Sequence, residues 1–125
     1  MTKKRVLVVD DEPSITRTLK LNLEATQRYE VRTENESGRV MEATREFQPD
    51  LILLDVVMPN LSGPRVSDQI HSDPELKDTP VVFLTALAKN EDTGGHAVMA
   101  GSVVYLAKPV DMAELIRCIE ENVRR

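Results

Sequence analysis

Residues 6–12 read VLVVDDE: four apolar residues, Val6 to Val9, run straight into Asp10 and Asp11. A short apolar run without polar alternation fits a strand buried on both faces, the pattern of a parallel sheet covered by helices. Three further runs have the same form. LILLD (51–55) closes on Asp55, VVFLT (81–85) on Thr85, and VVYLAKP (103–109) on Lys108 and Pro109. YEVRT, at 29–33, supplies a fifth strand. Helical patterns lie between the runs. Ile15, Leu19 and Leu23 follow Pro13, and Val40, Met41, Ala43, Thr44 and Phe47 mark a helix from about Ser37. Val66 and Ile70 follow Gly63-Pro64. Leu115, Ile116, Ile119 and Val123 follow an Asp111 N-cap that has Glu114 three residues later. A further helix is expected within AKNEDTGGHAVMAG (88–101), frayed or shortened, since Gly94 and Gly95 would each cost about 1 kcal/mol relative to alanine. Strand and helix alternation with right-handed crossovers predicts an α/β fold: a doubly wound, five-stranded parallel sheet with five helices.

The chain has 125 residues, the usual size of one domain, and residues 1–125 are read as a single unit with no output domain inside it. Its 41% hydrophobic and 30% charged content is that of a globular protein, and no apolar run approaches the roughly 20 residues of a membrane span. The basic start MTKKR is followed by too short an apolar run for a signal sequence, so a cytoplasmic location is expected. Sixteen Lys and Arg against 21 acids leave a net charge of −5, which argues against direct nucleic-acid binding, as does an aromatic content of 3%. The single cysteine, Cys118, falls within the helical pattern IRCIEENV and reads as structural.

In an open parallel sheet the strand carboxyl ends meet at one crevice, so Asp10, Asp11, Asp55, Thr85 and Lys108 converge there. Two carboxylates about 4 Å apart repel by about 4 kcal/mol at an effective dielectric of about 20, so three of them call for a cation. Oxygen ligands favour magnesium, which commonly binds through one or two carboxylates and a phosphate. Asp55 is then the candidate nucleophile toward phosphorus, with Asp10 and Asp11 as ligands. Lys108 and Thr85 suit phosphoryl oxygens. Each residue alone has an ordinary reading: Asp11 as a turn former, Thr85 as a strand former, Lys108 as a solvated loop residue. Their joint occurrence at four strand ends decides for the site.

VLVVDDEP, PDLILLDVVMPNLSG, VVFLTA and YLAKP, in this order and covering essentially the whole chain, resemble the signature segments of the receiver domain of bacterial two-component response regulators. The resemblance implies a flavodoxin-like sheet of strand order 2-1-3-4-5. It implies that Asp55 accepts a phosphoryl group from a histidine kinase or histidine phosphotransfer protein. Mg2+, or Mn2+ in its place, would be held by Asp10, Asp11, Asp55 and the backbone carbonyl of Val57. Thr85 and Tyr105 would form a switch that alters the face of the fourth helix, fifth strand and fifth helix, read by a downstream protein or an output domain. Lys108-Pro109 would be a cis peptide. The family regulates; it is no enzyme beyond assisting its own phosphorylation and dephosphorylation. In this family the side chains two residues after the acceptor and after the switch threonine influence the hydrolytic water. Here they are Val57 and Leu87, both apolar, which implies slow self-dephosphorylation.

Two segments depart from the family pattern. The stretch between Thr85 and Gly101 is one residue longer and contains Gly94-Gly95, and AGSVVYL replaces an AGADDYL-like stretch. Val103 and Val104 make the fifth strand more apolar, which favours self-association or an apolar partner; a monomer or a phosphorylation-dependent dimer is implied. His71 and His96 have no partner assignable from sequence. Competing readings are a receiver-like interaction module independent of phosphorylation, an aspartate-nucleophile phosphohydrolase, and a flavodoxin-like cofactor binder. The phosphohydrolase usually spaces its two acids at i and i+2, whereas Asp10 and Asp11 are adjacent. For the cofactor binder, the acidic DDEPS loop would repel a phosphate.

Overall fold

The four apolar runs are strands, and their lack of alternation has the expected cause: Val6 to Val9 and Leu51 to Leu54 are all fully buried. The structure, a computed structural model, describes residues 3–86, 98–100 and 103–123. In chain order it contains β1 (Lys4–Val9), α1 (Pro13–Ala25), β2 (Tyr29–Glu34), α2 (Val40–Phe47), β3 (Leu51–Asp55), α3 (Gly63–Ser72), β4 (Val81–Thr85), β5 (Val98–Ala100), β6 (Val103–Ala107) and α4 (Met112–Asn122). The sheet runs β2-β1-β3-β4-β6-β5. Its five parallel strands therefore stand in the expected order 2-1-3-4-5, with β5 added as an antiparallel strand beside β6.

One strand and the start of the second helix differ from the sequence expectation. Val98–Ala100 is a strand rather than the end of a helix. Its pairing leaves only Gly101 and Ser102 between Ala100 and Val103, and a Gly-Ser pair between two apolar runs is a hairpin signal that competes with the helical one. Residues 87–97, with Gly94, Gly95 and His96, lie outside the described residues, so four α-helices are described where five were expected. The second helix also begins as a 3-10 turn over Ser37–Arg39 before α2 proper. It stops at Gln48, in the left-handed region at φ 52°, ahead of Pro49.

Successive strand residues point to opposite faces, so each strand feeds two cores. Val6, Val8, Leu53 and Leu84 pack with Leu19 and Leu23 of α1 and Leu115 and Ile119 of α4. Leu7, Val9, Ile52 and Leu54 pack with Val40 and Ala43 of α2 and Val66 and Ile70 of α3. At about 1.5–3 kcal/mol for each fully buried large aliphatic side chain, this double burial is the main force holding the strand ends in register. Asp111 caps α4 as expected, its carboxylate accepting from the backbone N–H of Ala113 (2.9 Å) and Glu114 (3.2 Å). Cys118 is buried in the α4 face of the core, and burial pushes its thiol up to about 11, consistent with a packing role. His71, left without a partner by sequence, lies with Nε2 3.1 Å from the Thr79 carbonyl and Nδ1 3.4 Å from the Ser67 hydroxyl. Among the described residues no helix is long and apolar enough to cross a membrane.

Gly63, the first residue of α3, comes close to the sheet's carboxyl end. Its N–H donates to the Val56 carbonyl at 2.9 Å, and a side chain at this position would collide with the backbone carbonyl oxygen of Asp55. Backbone cannot rotate aside as a side chain can. Gly63→Ala is therefore expected to lower stability by about 1–3 kcal/mol, read as a lower urea midpoint, and an unchanged midpoint would contradict this close approach.

Candidate functional site

The strand registers bring the sequence-predicted residues together. Val9 pairs with Leu54, Asp55 with Leu84, and Thr85 with Ala107, so Asp10, Asp55, Thr85 and Lys108 emerge on adjacent strand ends. Backbone hydrogen bonds carry the register one step past the strands. Asp10 N–H donates to Glu34 (3.2 Å), Val56 N–H to Leu84 (3.0 Å) and Lys108 N–H to Thr85 (3.0 Å). The Lys108-Pro109 peptide is cis.

Within this crevice the Lys108 ammonium donates to Asp10 Oδ2 at 2.6 Å and to Asp55 Oδ1 at 3.1 Å. Asp10 is wholly buried and Asp55 5% exposed, whereas Asp11 sits at the rim, exposed. One carboxylate oxygen from each of Asp10, Asp11 and Asp55 lies within 4.8 Å of the others. Burial pushes the Asp55 carboxyl above its ordinary range; the charge of Asp10 adds to this, and the hydrogen bond from Lys108 opposes it. For Lys108, burial acts against the charged form, but the bonds to Asp10 and Asp55 outweigh it and hold the ammonium above its ordinary value. An all-oxygen set of three acids served by one ammonium fits a hard divalent cation, which could be held by these carboxylates.

The remaining predicted residues occupy the surroundings. Thr85 is buried at the end of β4. Tyr105 is half-buried on β6, stacked on Phe83 of β4 with ring centroids 5.5 Å apart and an interplanar angle of 27°. Val57 projects into solvent at 63% exposure, and its backbone N–H favours the charged form of the Asp55 carboxyl. Leu87 lies outside the described residues. Sequence reasoning passed over Asn35, whose side-chain amide donates to the Asp10 carbonyl. Its signal was position: it directly follows β2, whose carboxyl end borders the same crevice.

Comparison with known proteins agrees with this geometry. A family model described as response regulator receiver domain matches residues 6–120. The chain is 32% identical over 121 residues to the DNA-binding dual master transcriptional regulator RpaA of Synechocystis sp., covering 97% of this chain and 49% of that protein. It is 31% identical over 117 residues to the polar-differentiation response regulator DivK of Brucella anthropi, covering 94% of each. The chain thus spans about half the length of RpaA and of several other curated relatives it matches, and nearly all of DivK. The solved structure of the chemotaxis response regulator CheY4 of Vibrio cholerae is similar at a TM-score of 0.78 and 28% identity, covering 96% of this chain and 98% of that one. With a family match over residues 6–120 that reaches every one of the five parallel strands and the acidic crevice at their carboxyl ends, this chain belongs to the response regulator receiver domain family.

Proposed function

We propose that the protein is a phosphorylation-activated switch in which Asp55 accepts a phosphoryl group from a histidine kinase or histidine phosphotransfer protein. The observation that carries this reading is the placement of Asp55: nearly buried on a central strand, 3.1 Å from the Lys108 ammonium, beside two further carboxylates. In the transfer a carboxylate oxygen of Asp55 bonds to phosphorus as the phosphorus–nitrogen bond of the donor breaks, and the leaving imidazole keeps the electron pair and takes up a proton. Magnesium, held by Asp10, Asp11, Asp55 and the Val57 backbone carbonyl, would offset the combined negative charge of carboxylates and phosphoryl oxygens. Lys108 is placed to exchange its bond to Asp55 for one to a phosphoryl oxygen, and Thr85 to donate its hydroxyl to another. Drawing Thr85 inward frees space beside β6 for the Tyr105 ring, and that repacking alters the surface around β6 and α4.

On this reading the protein regulates a partner or an output domain and assists only its own phosphorylation and dephosphorylation. RpaA is named as a DNA-binding transcriptional regulator and DivK as a polar-differentiation response regulator. The first fits control of an attached domain and the second docking on a separate target. The net charge of −5 leaves direct nucleic-acid binding to some other part of the system.

Intact-mass analysis after incubation with acetyl phosphate is expected to show one phosphoryl adduct that requires magnesium and is absent from Asp55→Asn. An adduct on Asp55→Asn, or none on the parent with or without a cognate donor, would remove Asp55 as the acceptor. A second outcome concerns lifetime. Val57 and Leu87 cannot orient a water by hydrogen bonding, so phosphate decay in the parent should be slow. The double variant Val57→Asn/Leu87→Glu should decay about tenfold faster or more, short of the roughly 10²–10⁴-fold that a proton-transferring group contributes. Equal decay in parent and variant would sink this account of the lifetime.

A further inference from the structure

Asn35 belongs to none of the groups that would touch phosphate or metal, yet its side chain is tied to the turn that carries both acids of the pair. Its Nδ2 donates to the Asp10 carbonyl at 2.8 Å and to the Thr16 hydroxyl oxygen at 3.0 Å. The hydroxyl of Thr16, a buried residue, itself donates to the Pro13 carbonyl at 3.1 Å, so toward Asn35 it acts as acceptor. The amide orientation follows from this chemistry, because the opposite one would set the amide oxygen against the Asp10 carbonyl, which has no proton to give. Both amide hydrogens are thereby committed, one to each end of the segment 10–16. Asp11 lies between these anchors, exposed, and takes its position from the turn's backbone.

The anchors have different origins. Asp10 is also held by its own N–H to Glu34, and its Oδ1 accepts from the Glu12 N–H at 3.0 Å. Those bonds fix where β1 ends and how the turn begins. The Asn35 amide is the link that ties the turn to the start of α1 from outside both elements. Two residues on, Ser37 donates from its hydroxyl to the Pro59 carbonyl at 3.1 Å, bracing the loop after β3 in the same manner. A cleft of about 440 Å³ lies between the two braced loops, lined among others by Asp11, Asn35, Ser37 and Pro59.

We infer that Asn35 is a positioning residue for the acid pair: its amide, bound to the Asp10 carbonyl and the Thr16 hydroxyl, sets the turn that presents Asp10 and Asp11 to a divalent cation. The inference rests on the metal-site reading given above. Groups that orient metal ligands without touching the metal commonly change affinity by about 10–100-fold when removed. Tyr29→Phe supplies the control, since it removes one side-chain hydrogen bond, to Glu120 at 2.7 Å, from the opposite end of β2.

The test is calorimetric titration of the parent, Asn35→Ala and Tyr29→Phe with magnesium chloride, with urea midpoints measured on the same samples. Asn35→Ala should raise the magnesium dissociation constant about tenfold while Tyr29→Phe stays within about twofold of the parent. The slower phosphorylation of Asn35→Ala by acetyl phosphate should be recovered at saturating magnesium, a split between affinity and rate that general loosening of the fold would not give. Unchanged affinity in Asn35→Ala, or equal weakening in both variants, would overturn the positioning role. A parent that binds no magnesium would instead overturn the metal-site reading, and the inference with it.

Discussion

The Lys108 ammonium lies between two carboxylates that the sheet has taken out of water, and the organisation of the crevice follows from that charge imbalance. Removing one partner from a buried ion pair is far more costly than losing an exposed one, because the remaining charge has no solvent to turn to. Here one cation faces two acids, with a third at the rim. When all are ionised, three negative charges against one positive leave two uncompensated, the charge of one divalent ion. The upward displacement of the Asp55 carboxyl has the same origin, burial combined with the nearby charge of Asp10. The site is therefore electrostatically incomplete by construction, which fits a centre that takes up a metal and exchanges a lysine contact for a phosphoryl one.

Such an arrangement persists only if the groups cannot relax apart, and the sheet prevents that. Each carboxyl-end residue follows a strand whose side chains fill both cores, so moving it would draw large aliphatic groups out of place. Backbone hydrogen bonds extend the register beyond the strands, joining Asp10 to β2, Val56 to β4 and Lys108 to Thr85. Thr85 is thus tied through its carbonyl to the residue that holds the carboxylates. Tyr105, two residues before Ala107 on β6, rests on Phe83 two residues before Thr85 on β4. On the proposed reading, a displacement of Thr85 is felt at Tyr105 because both belong to one strand pair, whose packing has discrete arrangements rather than a continuum.

The parts of this architecture legible from sequence are those where local pattern and tertiary environment agree. Unbroken apolar runs such as LILL at 51–54 can be satisfied only by burial on two sides, and Asp111 caps its helix as its spacing with Glu114 suggested. Strand order required the family resemblance, since apolar runs alone do not say which strand neighbours which. The strand at Val98–Ala100 was missed because a three-residue apolar segment carries no periodicity, and pairing with β6 settles it. The contacts of His71 with Thr79 and Ser67, and of Asn35 with Asp10 and Thr16, were invisible for another reason. Three of the four join residues more than one turn of helix apart in sequence, and no spacing rule encodes them.

Burial also separates the crevice residues by how much of the fold a substitution would disturb. Asp10, Asp55 and Thr85 are buried at strand ends, where a change of side chain would disturb both the charge balance and the core. Asp11 and Val57 stand at the rim, exposed, where a substitution disturbs little packing. Among the described residues, Val57 at 63% exposure and Leu21 are the large apolar side chains left in solvent, and Val57 gains little stability there. On the proposed reading, the valine two residues after Asp55 matters for what it withholds from the crevice, a hydrogen bond to water, more than for what it adds to the fold. The same division places Asn35 in between: half-buried, off the core, and acting on the acids through the backbone that carries them.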